Sequence, residues 1–150
     1  MKKYLLFFII LTLLLQIGCT SNQKEEIPMV EEPDNTTIEV SMEDKVIIDR
    51  SENLSDYVVE LFGIDDAATI ILNDTALVSV IMAYDSELND DTENLIKDLV
   101  LEKDSEIKEV IVSNDEKTFF QIIEIITDLM NGTSYDRYVN EISKLIEKNK

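Results

Sequence analysis

Residues 67–84 read AATIILNDTALVSVIMAY, and the fold turns on how that stretch is understood. Two apolar runs, Ala67–Leu72 and Thr75–Tyr84, flank the polar pair Asn73-Asp74. Both runs are rich in β-branched residues, and both are too short and too alternating for a surface helix. Asn and Asp tolerate positive φ and bond their own backbone, which suits a tight turn. The stretch predicts a β-hairpin at the centre of a sheet. On its first strand Ala68, Ile70 and Leu72 share one face, against Ala67, Thr69 and Ile71. On its second strand Ala76, Val78, Val80 and Met82 share a face, against Leu77, Ser79 and Ile81. Neither face is polar, so a cover is needed beyond one layer of helices. Leu77 and Ile81, with Ile71 opposite, are expected to form the second patch, covered either by the terminal helix, through Tyr138, Ile142 and Leu145, or by a partner, with the helix preferred.

The flanking segments carry helical periodicity. Upstream, Asp44–Gly63 places Leu54, Val58, Leu61 and Phe62 on one face. Asp49 and Glu52 read as a capping box, and Gly63 as a C′ glycine with positive φ. Val46-Ile47-Ile48 either extends that helix backwards or packs before it as a staple. Downstream, Asp85–Lys103 is a second amphipathic helix with Leu88, Leu95, Ile96, Leu99 and Val100 inward. Ser86, Glu87, Asp90 and Asp91 favour its positive N-terminal end.

Ile107–Ser113 reads as a third strand. Strand–helix–strand connections cross over to a parallel strand, which lays the third strand parallel to the second, and the order expected is 2-1-3. A third helix, capped by Ser113 or Asn114, runs to Met130 with Phe119, Phe120, Ile123, Ile126, Leu129 and Met130 apolar. Gly132 ends it. Ser134 opens a fourth, with Tyr135, Tyr138, Val139, Ile142, Leu145 and Ile146 at helical spacing. The predicted domain is residues 44–150, a small α+β two-layer sandwich of order α-β-β-α-β-α-α with a three-stranded sheet.

The chain of 150 residues carries 13 Lys+Arg against 32 Asp+Glu, a formal net charge of −19. Such a surface repels nucleic acid and anionic headgroups alike, so no nucleic-acid partner is expected for the domain. With no His, a single Cys and three Gly, the sequence excludes an internal disulfide, histidine-based triads and a glycine-rich phosphate loop. No cofactor or metal is expected.

At the N-terminus, residues 1–19 read MKKYLLFFIILTLLLQIGC. Lys2 and Lys3 precede an apolar core, Leu5–Leu15, that is short for a bilayer span and suits an export signal over residues 1–18. The following Leu15-Gln16-Ile17-Gly18-Cys19 resembles the lipobox of bacterial lipoproteins, with Gln16 where that pattern usually has an apolar residue. The resemblance implies cleavage between Gly18 and Cys19 and a diacylglyceryl thioether on Cys19. Two acyl chains provide stable anchoring where one holds marginally. The alternative is an ordinary secretory signal whose Cys is incidental. Residues 19–43, acidic and holding both prolines, Pro28 and Pro33, read as a disordered tether. A coil of that length reaches about 25–30 Å.

The only groups with a chemical look are carboxylates: Asp65-Asp66, Asp74, Asp85, and Asn89-Asp90-Asp91 with Glu93. Calcium takes such ligands, but an EF-hand read from Asp85 has Asp90 at the glycine position and Ile96 at the glutamate position. Turn formation and helix starts explain each acid. Phe119, Phe120, Tyr135 and Tyr138 lie on helical apolar stripes, which makes core packing their expected role ahead of a ligand platform.

Taken together, Gly63-Ile64-x-x-Ala67-x-x-Ile70-x-Leu72, then Asn73-Asp74-Thr75-Ala76-x-Val78-x-Val80, then Ile107–Asp115 and Leu129-Met130-Asn131-Gly132 resemble the YhcN/YlaJ-type sporulation lipoproteins. The similarity covers Val46–Lys150, with the lipobox ahead of it. The resemblance implies a lipoprotein of the forming spore, its membrane layers, and germination or outgrowth, with no catalytic residue. It implies a membrane partner through a lipid anchor at Cys19, on the outer face of the cell membrane or on a spore envelope layer, with protein contacts as the mode of action. The core is also similar, at the level of fold, to the BON module. A BON-like binding module for a lipid, cell-wall fragment or cation is therefore the alternative. A hydrolase using a carboxylate pair is the third reading.

Overall fold

The computed structural model describes residues 40–150. The expected signal segment 1–18, the expected cleavage site Gly18–Cys19, the expected lipidation at Cys19 and the expected tether as far as residue 39 lie outside the described residues.

The elements follow the expected order: α1 (Met42–Val59), β1 (Ile64–Leu72), β2 (Thr75–Met82), α2 (Asp90–Lys103), β3 (Glu109–Ser113), α3 (Glu116–Met130), a 3-10 turn (Tyr135–Arg137) and α4 (Val139–Asn149). The class is α+β, with four helices and a three-stranded mixed sheet among the described residues.

The hairpin forms where the sequence places it. Leu72 faces Thr75 across a two-residue turn, and Asn73 adopts φ 57° there. The strands are offset from expectation: β1 begins three residues early, at Ile64, with an irregularity in register between Ile64 and Asp66. β3 runs parallel to β2, as the crossover requires, with Leu77 beside Ile111 and Ser79 beside Ser113.

The strand order, however, is β1-β2-β3 and not 2-1-3. The reason lies on the outer edge of β1. α1 packs along that strand. The Asp66 carboxylate accepts from the Ala67 N–H at 2.8 Å, and the Tyr135 hydroxyl donates to the Ile71 carbonyl. With that edge occupied, β3 takes the open edge of β2. The Asp74 carbonyl in the hairpin turn accepts from the N–H groups of Lys108 and Glu109 and guides it in.

Each face of the sheet has its own core. Ala68, Ile70, Leu77 and Ile111 pack under α3 and α4 through Phe119, Ile122, Ile125, Leu129, Ile142 and Leu145. Ala67, Ile71, Ala76, Val78, Val80, Val110 and Val112 pack under Leu54 and Val58 of α1 and Ile96 and Val100 of α2. The sheet is thus the middle of three layers, where two were expected. α4 covers the Leu77 face as preferred, in company with α3. Ile71 lies on the other face: Leu77 pairs with Ile70, and Ile71 with Ala76. A buried Leu or Ile contributes roughly 1.5–3 kcal/mol, so these two layers supply the main driving force for the fold.

Helix boundaries move for local reasons. α1 starts at Met42 because Ser41 is its N-cap, its hydroxyl accepting from the Asp44 N–H at 3.0 Å. Asp49 and Glu52 lie inside the helix and form no capping box, Val46-Ile47-Ile48 is helical, and residues 41–43 belong to the domain and not to the tether. Gly63 has the expected positive φ, 89°, but sits in a turn past the helix end, closed by the Ile64 N–H on the Leu61 carbonyl. Phe62 is outside the helix.

α2 begins only at Asp90, capped by Asn89 on the Thr92 N–H, and Leu95 is exposed. Asp115, not Ser113 or Asn114, caps α3. Gly132 does end α3, in a Schellman arrangement: its N–H reaches the Leu129 carbonyl and that of Thr133 reaches the Asp128 carbonyl. Ser134 opens the short 3-10 turn, and α4 starts after Tyr138.

Candidate functional site

The carboxylates singled out in the sequence are dispersed and engaged locally. Asp66 bonds the N–H of Ala67, Asp74 forms the hairpin turn, Asn89 caps α2, and Asp90, Asp91 and Glu93 occupy the first turn of α2. Asp85 adopts φ 63° in the turn after β2. Among the described residues no group of three or more His, Cys, Asp or Glu is placed to hold a metal ion.

The aromatic candidates divide. Phe119 is buried, while Phe120 is 58% exposed and meets it edge to face, with ring centroids 5.4 Å apart. Tyr135 and Tyr138 are half-buried structural ties. The Tyr138 hydroxyl donates to the Asp128 carboxylate, and that bond raises its pKa. Tyr135 is pushed up to about 12, by burial first and then by Asp136 and Asp44. These four residues form no shared platform.

Ion pairs gather at the other parts of the domain. Arg50 of α1 donates to Asp104 at 2.8 Å and meets Glu106 at 2.9 Å, fastening α1 to the end of α2. Burial is the largest influence on Asp104 and works against its charge, yet the bond from Arg50, the bond from the Glu106 N–H and the charges of Arg50 and Lys108 together outweigh it and its pKa is lowered. Lys148 meets Asp115 at 2.6 Å, Lys150 meets Glu109 at 3.2 Å, and Lys97 meets Glu93 at 2.6 Å.

Two clefts remain. One, about 390 Å³, lies between α1, β1 and α3, with Ile122, Ile123 and Ile126 on one wall and Glu52, Ser55 and Asp56 on the other. The second, about 630 Å³, is lined by Val80, Ile81, Met82, Ser86, Glu87, Leu88, Asn114 and Glu116. The sequence reading missed the residues beside this second cleft. Phe62 was expected in the core and is 100% exposed; Tyr84, expected to end the second strand, is 93% exposed. The available signal was the company they keep, since each adjoins a turn residue of positive φ, Gly63 or Asp85, and acidic neighbours.

The described residues offer clefts and exposed aromatic side chains, while Asp66, Asp74, Asp90, Asp91 and Glu93 serve in turns and at a helix start. The family model described as sporulation lipoprotein YhcN/YlaJ matches residues 16–149. No curated protein matches the chain. The match spans nearly the whole sequence and includes Cys19, the hairpin and the four described helices. The chain belongs to the YhcN/YlaJ family of sporulation lipoproteins.

Proposed function

We propose that this lipoprotein is held by a diacylglyceryl group on Cys19 at a spore membrane or envelope layer and acts there, without catalysis, through protein contacts in sporulation, germination or outgrowth. The family match carries the reading, because it opens at residue 16 and takes in the lipobox-like Gln16-Ile17-Gly18-Cys19. The acidic surface supports it too. The chain has a formal net charge of −19, and its acidic domain stands off anionic headgroups while the anchor holds it near them. Contact in place of chemistry is favoured by the absence of His from the sequence and by carboxylates that already serve as caps, turns and ion-pair partners.

The test is site-directed photo-crosslinking from exposed positions of the full chain in sporulating cells and in dormant and germinating spores. The expected result is a discrete crosslinked protein in the membrane fraction, confined to one of those stages. A chain that resides in vegetative membranes and crosslinks to nothing at any spore stage would contradict the reading.

A further inference from the structure

The open end of the hairpin brings together exposed aromatic residues, a cleft and, among the described residues, unpaired carboxylates. The Ala83 N–H donates to the Gly63 carbonyl at 2.9 Å and closes that end. Phe62 and Tyr84, the residues just outside this bond, are the two most exposed large apolar side chains described. Gly63 also lies against Ser86, since a Cβ built on it would stand 3.1 Å from the Ser86 hydroxyl oxygen, so the two loops are neighbours. The second cleft opens beside them, with Val80, Met82 and Leu88 as apolar lining and Glu87 and Glu116 as its carboxylates.

Acidic residues are dense in the segment of the chain that builds this end. Between Arg50 and Lys97 the sequence has eleven Asp or Glu and no basic residue. Glu60, Asp65, Asp66, Asp85 and Glu87 are exposed, and among the described residues none of them is in an ion pair. Glu93, Asp104, Glu106 and Glu109 each meet a Lys or Arg, and Lys148 meets Asp115 between the lining residues Asn114 and Glu116.

We infer that this end docks a Lys/Arg-rich polypeptide segment. A basic side chain has an aliphatic stem that suits Met82 and Leu88, and a charged head that suits Glu87 and Glu116. Neighbouring cations of the same segment lie over the faces of Tyr84 and Phe62, where the ring quadrupole attracts them. An anionic lipid surface is the wrong partner, because the same carboxylates repel it. The inference rests on the contact function proposed above and names the chemistry of the partner.

The probe is a fluorescein-labelled peptide of alternating arginine and glycine, titrated by anisotropy against the full chain in detergent and again in phosphatidylcholine nanodiscs. Binding is expected in both and is expected to weaken with salt. Phe62→Ser with Tyr84→Ser, and separately Glu87→Gln with Glu116→Gln, should each weaken it at least about five-fold. Glu124→Gln with Glu141→Gln removes equal charge elsewhere and should change it less than about two-fold. Circular dichroism confirms that each variant is folded.

Equal losses from both charge pairs would overturn the site in favour of diffuse attraction. Binding in detergent that vanishes in nanodiscs would assign the surface to the bilayer. A two-chain mass that falls to one in the Phe62/Tyr84 variant, with no peptide bound, would assign it to a second copy. Crosslinks in spores that map elsewhere on the domain, with no peptide binding, would remove this inference and leave the contact function standing.

Discussion

The hydroxyl of Tyr135 donates to the backbone carbonyl of Ile71 at 2.6 Å, joining two residues 64 positions apart in the chain. Ile71 precedes the residue that closes the hairpin turn, so in an antiparallel ladder its carbonyl points outward from β1. Tyr135 thereby satisfies a strand-edge acceptor and fixes the approach of the 3-10 turn to α4. The same bond helps to keep β3 from pairing with β1.

Tyr135→Phe should cost about 1 kcal/mol, the usual net value of such a bond with its acceptor left unpaired. The folded-state pKa of Tyr135 is raised to about 12. Its contribution is therefore complete below pH 10 and declines as pH rises from about 10 through 12. Urea melts of the two proteins at pH 8 and pH 11.5 check both parts. The difference between them should be smaller at the higher pH.

Asp115 and Lys148 make the opposite case. The Asp115 carboxyl is held down at about 2, first by its bond to Lys148 and then by Thr118. A depressed carboxylate contributes stability above its unfolded pKa, near 4, and loses it as pH falls through about 2. Asp115→Asn should melt lower than the parent at pH 7 and converge with it near pH 2. Thermal melts across that range follow the convergence.

Gly63→Val should destabilise the domain by at least about 1 kcal/mol, since a β-branched residue is strained at positive φ. The φ of 89° and the approach of Ser86 both oppose a side chain there. Chemical denaturation reads the cost. An unchanged midpoint would mean that the turn relaxes freely.

How much of this was legible depended on the kind of signal. The hairpin was readable because Asn73-Asp74 and the β-branched runs constrain local geometry, and its two faces followed from alternation. The place of β3 was not, because Ile111 and Val112 are buried on opposite faces and fit beside either neighbour. Only α1 and Tyr135 on the edge of β1 decide between them. α3 misled for a related reason. Its apolar residues run nearly all round, and the fold buries Phe119, Ile122, Ile125, Ile126 and Leu129 while leaving Phe120, Ile123 and Met130 exposed. Ser41 was hidden by the acidic composition of the sequence before it, although Ser41-x-x-Asp44 is a capping pattern.

Truncation after Gly132 tests the layering. Ile142, Leu145 and Ile146 of α4 are buried against the Leu77 face. Their removal should expose that face, lower the melting temperature and produce binding of a hydrophobic dye or self-association. Fluorescence with the dye and sedimentation check the outcome. A truncated chain that stays monomeric, dye-silent and as stable as its parent would show that α4 is not the cover.

The anchor is the centre of the functional account, and Cys19 lies ahead of every described residue. Intact-mass and N-terminal peptide mass spectrometry of the chain from sporulating cells, beside a Cys19→Ala variant, tests it most directly. The predicted result is a mature chain beginning at Cys19 with a diacylglyceryl thioether, and a variant that carries no lipid. A native chain that keeps residues 1–18, or one cleaved to a Cys19 without lipid, would contradict the account.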